Sequence, residues 1–438
     1  MKSSLSHRGQ LASETILRID LDVSNEAVDN IFDPILNPDG AFPLSIAENR
    51  LLWPVLKEKF QLIASKHTID DWVLGYTSTL GSDEFREAIA TFYQTFITKC
   101  NIEPETLACS PGASGIVEMT GLFLADPGEV FAVPAPCYPV YRQDFGNISK
   151  LERHDIQTFH QLDELQHGPL LHLMDLEKAK NDIEQQGKKL KILLITSPDN
   201  PTGIRYTSRH LEEIADWCEA RSIHLIVNEI YALSLIDTSH EQIKDDYPDE
   251  QGYDSFALIM SKRKSNFLHH WYSFSKDFGI SGFRVGILHS HNEDLMTAYE
   301  NYNLTHSVSN HTQWLLLKLM EDEQFIENYI EENSKLLTRS YVQIIELLRK
   351  HDIPYIPSRG GLFVWADFSR FLAEQSYDAE IDFWQSLYKD TGILFTPGHG
   401  FGHKGFGFFR IVYPYVSYDI LVEALKKLDN YLASKIEV

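Results

Sequence analysis

From about residue 85 onward, short apolar runs bounded by turn residues alternate with stretches of helical periodicity, and this alternation restricts the chain more than any other feature. The runs EVFAVPAP, KILLITSP and HLIVNEIY are rich in Val, Ile and Leu with little polar alternation, whereas EFREAIATFYQTFITK repeats its apolar residues at helical spacing. Strands without a polar face are buried on both sides, as in a mostly parallel sheet covered by helices. The fold class is therefore α/β, with ligands expected at the C-terminal ends of the strands. After about residue 300 the pattern changes to long helices, notably QFIENYIEENSKLLTRSYVQIIELLRKH, followed by the strand-like GGLFVWADF and FGFFRIVYP segments. These predict a second, smaller α+β domain. Residues 1 to about 40 read as an arm or irregular lead-in, and the charged SHEQIKDDYPDEQGYD stretch as a surface excursion.

The chain has 438 residues, enough for two domains with substantial cores, and its 43% hydrophobic and 23% charged content is that of an ordinary globular protein. Its formal net charge of -24 repels phosphate backbones and anionic membrane surfaces, so neither nucleic acid nor membrane is an expected partner. Cys100, Cys109, Cys137 and Cys218 form no CxxC pair and no metal-ligand spacing with histidine, which suits reduced structural thiols in a cytoplasmic protein. The N-terminus lacks a basic segment followed by an apolar run, and no apolar stretch approaches the roughly 20 residues that span a bilayer.

The sharpest chemical signal is YSFSKDFGISGFRVG, in which Lys276 sits among small and apolar residues. A lone lysine is ordinarily a solvated surface residue. Here Ser273 and Ser275 precede it and Arg284 follows, and two hydroxyls with a guanidinium could jointly hold a phosphate. Imine chemistry needs a lysine with a lowered pKa, because only the neutral amine attacks a carbonyl carbon. Phosphate and imine together imply pyridoxal 5'-phosphate (PLP).

At this point the chain resembles the class I/II aminotransferases of fold type I, and more narrowly the branch containing 1-aminocyclopropane-1-carboxylate (ACC) synthase. The matching segments, in family order, are PLSIAENRL, GYTSTLGSDEFREAIA, SPGASGIVEM, PAPCYPVY, SPDNPTG, HLIVNEIY, YSFSKDFGISGFRVG and FGFFRIVY. The resemblance implies an N-terminal arm and part of the small domain over 1–60, a large PLP-binding domain over 61–300 and a C-terminal small domain over 301–438. It makes Lys276 the Schiff-base lysine and general base, with Ser273, Ser275 and Arg284 on the phosphate. Ala113 and Ser114 match the phosphate-binding turn, where backbone amides at a helix N-terminus face the anion. Tyr138 matches the aromatic residue that stacks on the ring, and Asn200 and Tyr231 match the pair that bonds its phenolate oxygen. Tyr76 matches a tyrosine that reaches the phosphate of a neighbouring subunit, which implies a homodimer with composite sites. Arg410 matches the clamp of the substrate α-carboxylate, to which Asn200 also contributes, and Glu48 a glutamate on the substrate side.

Two positions depart from the family pattern. Asn228 stands where the family has an aspartate that keeps the pyridine nitrogen protonated, and a carboxamide contributes no charge. Glu229 would point to the opposite face of a regular strand. Thr79 replaces a tyrosine of the ACC synthase pattern. The expected activity is an aminotransferase passing an amino group from an amino acid to a 2-oxo acid, with an ACC synthase-like lyase or cyclase acting at the γ-carbon as the alternative. A PLP-binding module of a transcription regulator fits less well, because no basic DNA-binding domain precedes the fold. The loop His399–Gly405, with His403 and three glycines, is a candidate lid or pocket wall, and no metal site is expected.

Overall fold

In the computed structural model the described residues are 4–14, 21–159, 171–248 and 254–436. The apolar runs lie where their composition requires, in the middle of a seven-stranded sheet. Its strands are β1 (Leu107–Ser110), β2 (Val130–Ala135), β3 (Glu152–Gln157), β4 (Leu190–Thr196), β5 (His224–Asn228), β6 (Leu268–Ser273) and β7 (Gly286–Ser290). They are ordered β1-β7-β6-β5-β4-β2-β3, with β6, β5, β4, β2 and β3 mutually parallel and β7 antiparallel to both neighbours. Alternate residues of one strand serve different cores. Leu193 and Ile195 of β4 pack with Ile183 and Ile214 on one face, while Ile192 and Leu194 pack with Phe131, Ile116 and Trp271 on the other. Both faces are thus apolar, and only the edge strand β3, reading ERHDIQ, carries a polar, part-exposed row.

The helix Asp83–Phe92 starts where Ser82 accepts from the Phe85 amide, a cap written in the sequence as a serine before two acids. The chain then relaxes into a π-helical turn, Tyr93–Thr98, that buries Tyr93 and Ile97. Gly112–Leu124 crosses β1, β6 and β7, and its first turn sits at the C-terminal end of β1.

A three-stranded antiparallel sheet, ordered β8-β10-β9, follows later in the chain, from β8 (Phe363–Asp367), β9 (Thr396–Pro397) and β10 (Phe408–Val412). The long apolar periodicity forms one helix, Glu323–Lys350, of 28 residues. The N-terminal segment joins this part of the molecule: Val412 donates to the Leu44 carbonyl at 2.8 Å, and Phe42 pairs with Ile393. Phe42, Leu44, Tyr341, Phe363 and Ile411 share one core.

The 240–265 stretch differs from its reading as a surface excursion. Ile243 and Tyr247 are buried, and Phe256–Arg263 is a helix capped by Ser255 with Phe256, Ala257, Ile259 and Met260 inside. Residues 249–253 of this stretch lie outside the described residues. All four cysteines are free thiols, and burial pushes those of Cys109 and Cys137 up to about 12.

Candidate active site

Strands β1, β2, β4, β5 and β6 point their C-terminal ends the same way, and each hands the chain to a turn carrying residues singled out above. A cavity of about 170 Å³ lies at this edge, lined by Lys276, Ser275, Arg284, Ala113 and Ser114 and also by Tyr138, Asn200, Asn228 and Tyr231. A larger groove of about 790 Å³ elsewhere, along Glu323–Lys350, holds none of these side chains.

Lys276 rides on the short helix Phe274–Asp277 that directly follows β6. Its amine donates to the Ala47 carbonyl at 2.7 Å. Burial draws the amine down from its ordinary range to about 8; the nearby guanidiniums of Arg410 and Arg284 act in the same direction, and Glu48 opposes them. The next residue, Asp277, fixes this turn by accepting from the Leu233 amide at 3.0 Å and the Ser234 hydroxyl at 2.7 Å.

At one end of the cavity the Arg284 guanidinium donates to the carbonyls of Ser281, at 2.9 Å, and Pro111, at 3.3 Å. Gly112 makes room for it: its φ is +77°, and a Cβ there would meet Arg284 Nη2 at 2.5 Å. Ala113 and Ser114 follow in the first helical turn, whose amides lack intrahelical partners. Ser275 lines the cavity, but Ser273 stands behind it. The Ser273 hydroxyl donates to the Val285 carbonyl at 2.7 Å and meets the Ser275 hydroxyl at 2.8 Å, so it orients its neighbour and does not face the pocket.

At the opposite wall the Asn200 amide approaches the Tyr231 hydroxyl at 3.5 Å, and the Asn228 amide donates to the Tyr141 hydroxyl at 2.7 Å. The Tyr138 ring meets Tyr141 edge-on at 5.2 Å.

Three other expected residues lie outside the lining. Arg410, on β10, is one residue further back: it donates to Asn200 Oδ1 at 2.9 Å and to the Ser45 carbonyl at 2.7 Å, with the Phe401 ring 5.1 Å from its guanidinium. Glu48 accepts from Ser281, which lines the cavity, and from Arg50, both at 2.6 Å. Tyr76 is wholly exposed and takes no part in the cavity of its own chain.

Glu229 points away from the site. Its carboxylate is fully buried against His270 at 2.8 Å, Ser255 at 2.5 Å and the Phe256 amide at 2.8 Å. Thr79 donates to the Glu300 carbonyl at 2.6 Å. The His399–Gly405 loop also lies outside the cavity lining: Phe401 and His403 are buried, and the Phe401 carbonyl accepts from the Cys137 amide at 2.9 Å.

Sequence reasoning missed seven lining residues: the apolar Ala47, Val117 and Ile230, and the polar Tyr141, Asp144, Thr196 and Ser281. Tyr141 and Asp144 stand three residues apart, a spacing that puts helical side chains on one face, so part of this wall had a signal.

The profile of the family described as "Aminotransferase class I and II" matches residues 43–428. The chain belongs to that family. Among curated relatives, 1-aminocyclopropane-1-carboxylate synthase of Glycine max is 29% identical over 425 residues, covering 94% of this chain and 84% of that one. 1-Aminocyclopropane-1-carboxylate synthase 5 of Arabidopsis thaliana is 28% identical over 422 residues, covering 92% and 86%. Among solved structures, an aminotransferase from Mycobacterium tuberculosis superposes with a TM-score of 0.75 at 22% identity, covering 99% of this chain and 100% of that one. The Thermus thermophilus aspartate aminotransferase with maleate gives 0.76 at 18% identity, covering 98% and 99%.

The protein is thus a PLP-dependent enzyme of fold type I. The residues present fit that cofactor. A lysine lowered to about 8, a helix start held open by Gly112 beside a guanidinium, and amide and phenol donors facing them from the far wall are the donor set an aromatic aldehyde phosphate requires. Among the described residues, no helix is long and apolar enough to cross a membrane.

Proposed function

We propose that the protein is an aminotransferase that takes the amino group from an α-amino acid and delivers it to a 2-oxo acid. The observation that carries this reading is one cavity shared by the Lys276 amine, Asn200, Tyr231 and Arg284, with Arg410 directly behind Asn200. When bound, PLP supplies a carbonyl carbon that condenses with amines and an electron-poor ring that acidifies the α-carbon. The protein's own residues do the rest. Arg284, Ser275 and the amides of Ala113 and Ser114 hold the phosphate, Tyr138 covers the ring, and Asn200 and Tyr231 donate to its phenolate oxygen. Arg410 and Asn200 seat the substrate carboxylate, for which a planar guanidinium with two parallel donors is suited. Lys276 Nζ, in its neutral form within the desolvated cavity, would take the α-proton. Glu48, bonded to Ser281 on the cavity wall, faces the substrate side.

A second reading, γ-elimination or cyclisation, is favoured by one observation: the two curated relatives reported above are ACC synthases and align over more than nine-tenths of the chain. It uses the same residues up to proton removal, after which a γ-leaving group departs. Against it stands Thr79, whose hydroxyl is turned to the Glu300 carbonyl. Complete exposure of Tyr76 supports a homodimer in which it serves the partner's phosphate site.

The test is to incubate the PLP-loaded protein with single amino acids and no oxo acid. Accumulation of pyridoxamine phosphate supports the aminotransferase; release of a γ-group with the cofactor returned as aldehyde supports the second reading. Lys276→Ala removes the violet absorption of the lysine-bound cofactor. Persistence of that band would refute both.

A further inference from the structure

The wall of the cavity built from Asn228 is where the chain departs from its family's pattern, and it contains a carboxylate that the functional reading has not used. Asn228 is fixed in orientation. The backbone N–H of Ile230 can only donate, so the atom it meets at 3.1 Å is the Asn228 carbonyl oxygen, and the amide nitrogen is left to donate to Tyr141 at 2.7 Å. The Tyr141 hydroxyl also meets Thr196 at 3.2 Å, and burial holds its ionisation far above the ordinary tyrosine range. Asn228, Tyr141 and Thr196 are therefore all uncharged. One turn along the helix Tyr141–Gly146, on the same face, Asp144 lines the same cavity and is the one acid among its lining residues. Among the described residues none donates a hydrogen bond to its carboxylate, and the charge acting on it, that of Glu118, is of like sign. An acid placed this way is unfavourable until a cation or donor arrives from the cavity side.

We propose that Asp144 supplies the negative charge that Asn228 cannot, keeping the ring nitrogen of bound PLP protonated from the Tyr141 side of the cavity. The inference rests on the reading that PLP occupies this cavity with Asn228 toward its ring nitrogen. Asp144 is a positioning residue here: it sets a protonation state through the field it adds to a neutral wall. Burial, with Glu118, pushes Asp144 up to about 7, so acid and ring nitrogen titrate as a coupled pair, and a positive ring favours the carboxylate form. Asn228 would then accept a hydrogen bond from the ring N–H on its carbonyl oxygen, while the ring's charge is balanced one turn away.

The experiment loads the protein with PLP isotope-labelled at the ring nitrogen and reads that nitrogen by NMR at slightly alkaline pH, with the lysine-bound absorption recorded in parallel. The wild type should show the protonated signal. Asp144→Asn should keep the lysine-bound band while the ratio of protonated to unprotonated nitrogen falls about tenfold, the effect of one pK unit. Asp144→Glu should hold the proton, and Asn228→Asp added to Asp144→Asn should restore it, which a merely structural role would not produce. An unprotonated nitrogen in the wild type, or a ratio unchanged in Asp144→Asn, overturns the proposal and leaves the cofactor reading intact. Absence of the lysine-bound band in the wild type overturns that reading instead, and the proposal with it. Should Asp144→Asn fail to fold, the wild-type signal and Asp144→Glu still decide.

Discussion

The Lys276 amine donates to the Ala47 carbonyl across 2.7 Å, a contact between residues 229 positions apart. It joins the turn after β6 to the N-terminal segment that packs beside β10, so the reactive nitrogen is held by a part of the chain remote in sequence. A carbonyl accepts from either protonation state of an amine, whereas a carboxylate partner would favour the charged one. The contact therefore positions Nζ without reversing the downward shift that burial imposes.

Cofactor loading should follow that shift. With the amine near 8, its neutral fraction rises tenfold per pH unit below that value and levels off above it. The rate at which PLP generates the violet-absorbing form of the apoprotein should track this curve. A rate independent of pH below about 8 would mean the amine is already neutral there. The same shift has a stability sign. The folded pKa lies below the unfolded one, so burying the ammonium costs stability at every pH below about 8, and the cost is relieved as pH climbs from there to the ordinary 10.5. Lys276→Met apoprotein should melt above the wild type at neutral pH, and the gap should close in alkali.

Gly112→Ala should weaken cofactor binding while leaving the fold in place. Gly112 has φ +77°, and an added Cβ would lie 2.5 Å from Arg284 Nη2. Backbone strain of about 1–3 kcal/mol and a displaced guanidinium predict a PLP affinity lowered about 10- to 100-fold. Equilibrium dialysis measures it. An unchanged affinity would separate Arg284 from the phosphate.

Arg410→Lys should raise KM for the amino acid about 100-fold and leave the lysine-bound band in place. The guanidinium bonds Asn200 Oδ1 and the Ser45 carbonyl from two different nitrogens, and a single ammonium cannot hold both and offer a fork to a carboxylate. Steady-state kinetics with the best amino acid found in the functional screen provides the check; equal KM values would exclude Arg410 as the clamp.

How much of this was legible in the sequence depended on whether a residue's role was carried by its own segment. The runs around β2, β4 and β5 announced themselves because a buried strand can be nothing but apolar, and the turns after them brought Tyr138, Asn200 and Tyr231 to one cavity. Ser273 was hard to place because two serines ahead of a lysine look equivalent as letters, while only Ser275, on the helix that follows β6, lines the cavity. Ala47 was invisible because it acts through a backbone carbonyl, which every residue has. Asp144 carries a readable spacing, yet only the folded helix puts it on the wall with Asn228. Tyr247 was hidden by its charged neighbours, whose composition outweighed one aromatic anchor.

That anchor provides the last prediction. Tyr247 is 6% exposed, and its hydroxyl donates to the Ser358 carbonyl at 2.6 Å and approaches the Tyr341 hydroxyl at 3.1 Å. Tyr341 in turn accepts from the Ser358 amide at 3.0 Å, so one phenol pair satisfies both backbone groups of a fully buried residue. Tyr247→Phe preserves the ring and its packing but leaves the Ser358 carbonyl without its donor. A buried carbonyl stripped of its partner costs about 1–3 kcal/mol, and no water need enter a space that the ring still fills. Urea unfolding of the apoprotein should therefore show a lower midpoint with an unchanged slope, and the lysine-bound absorption of the loaded protein should be unaltered. A loss below about 0.5 kcal/mol, the range of ordinary surface substitutions, would return the 240–248 segment to the peripheral role its charges suggest.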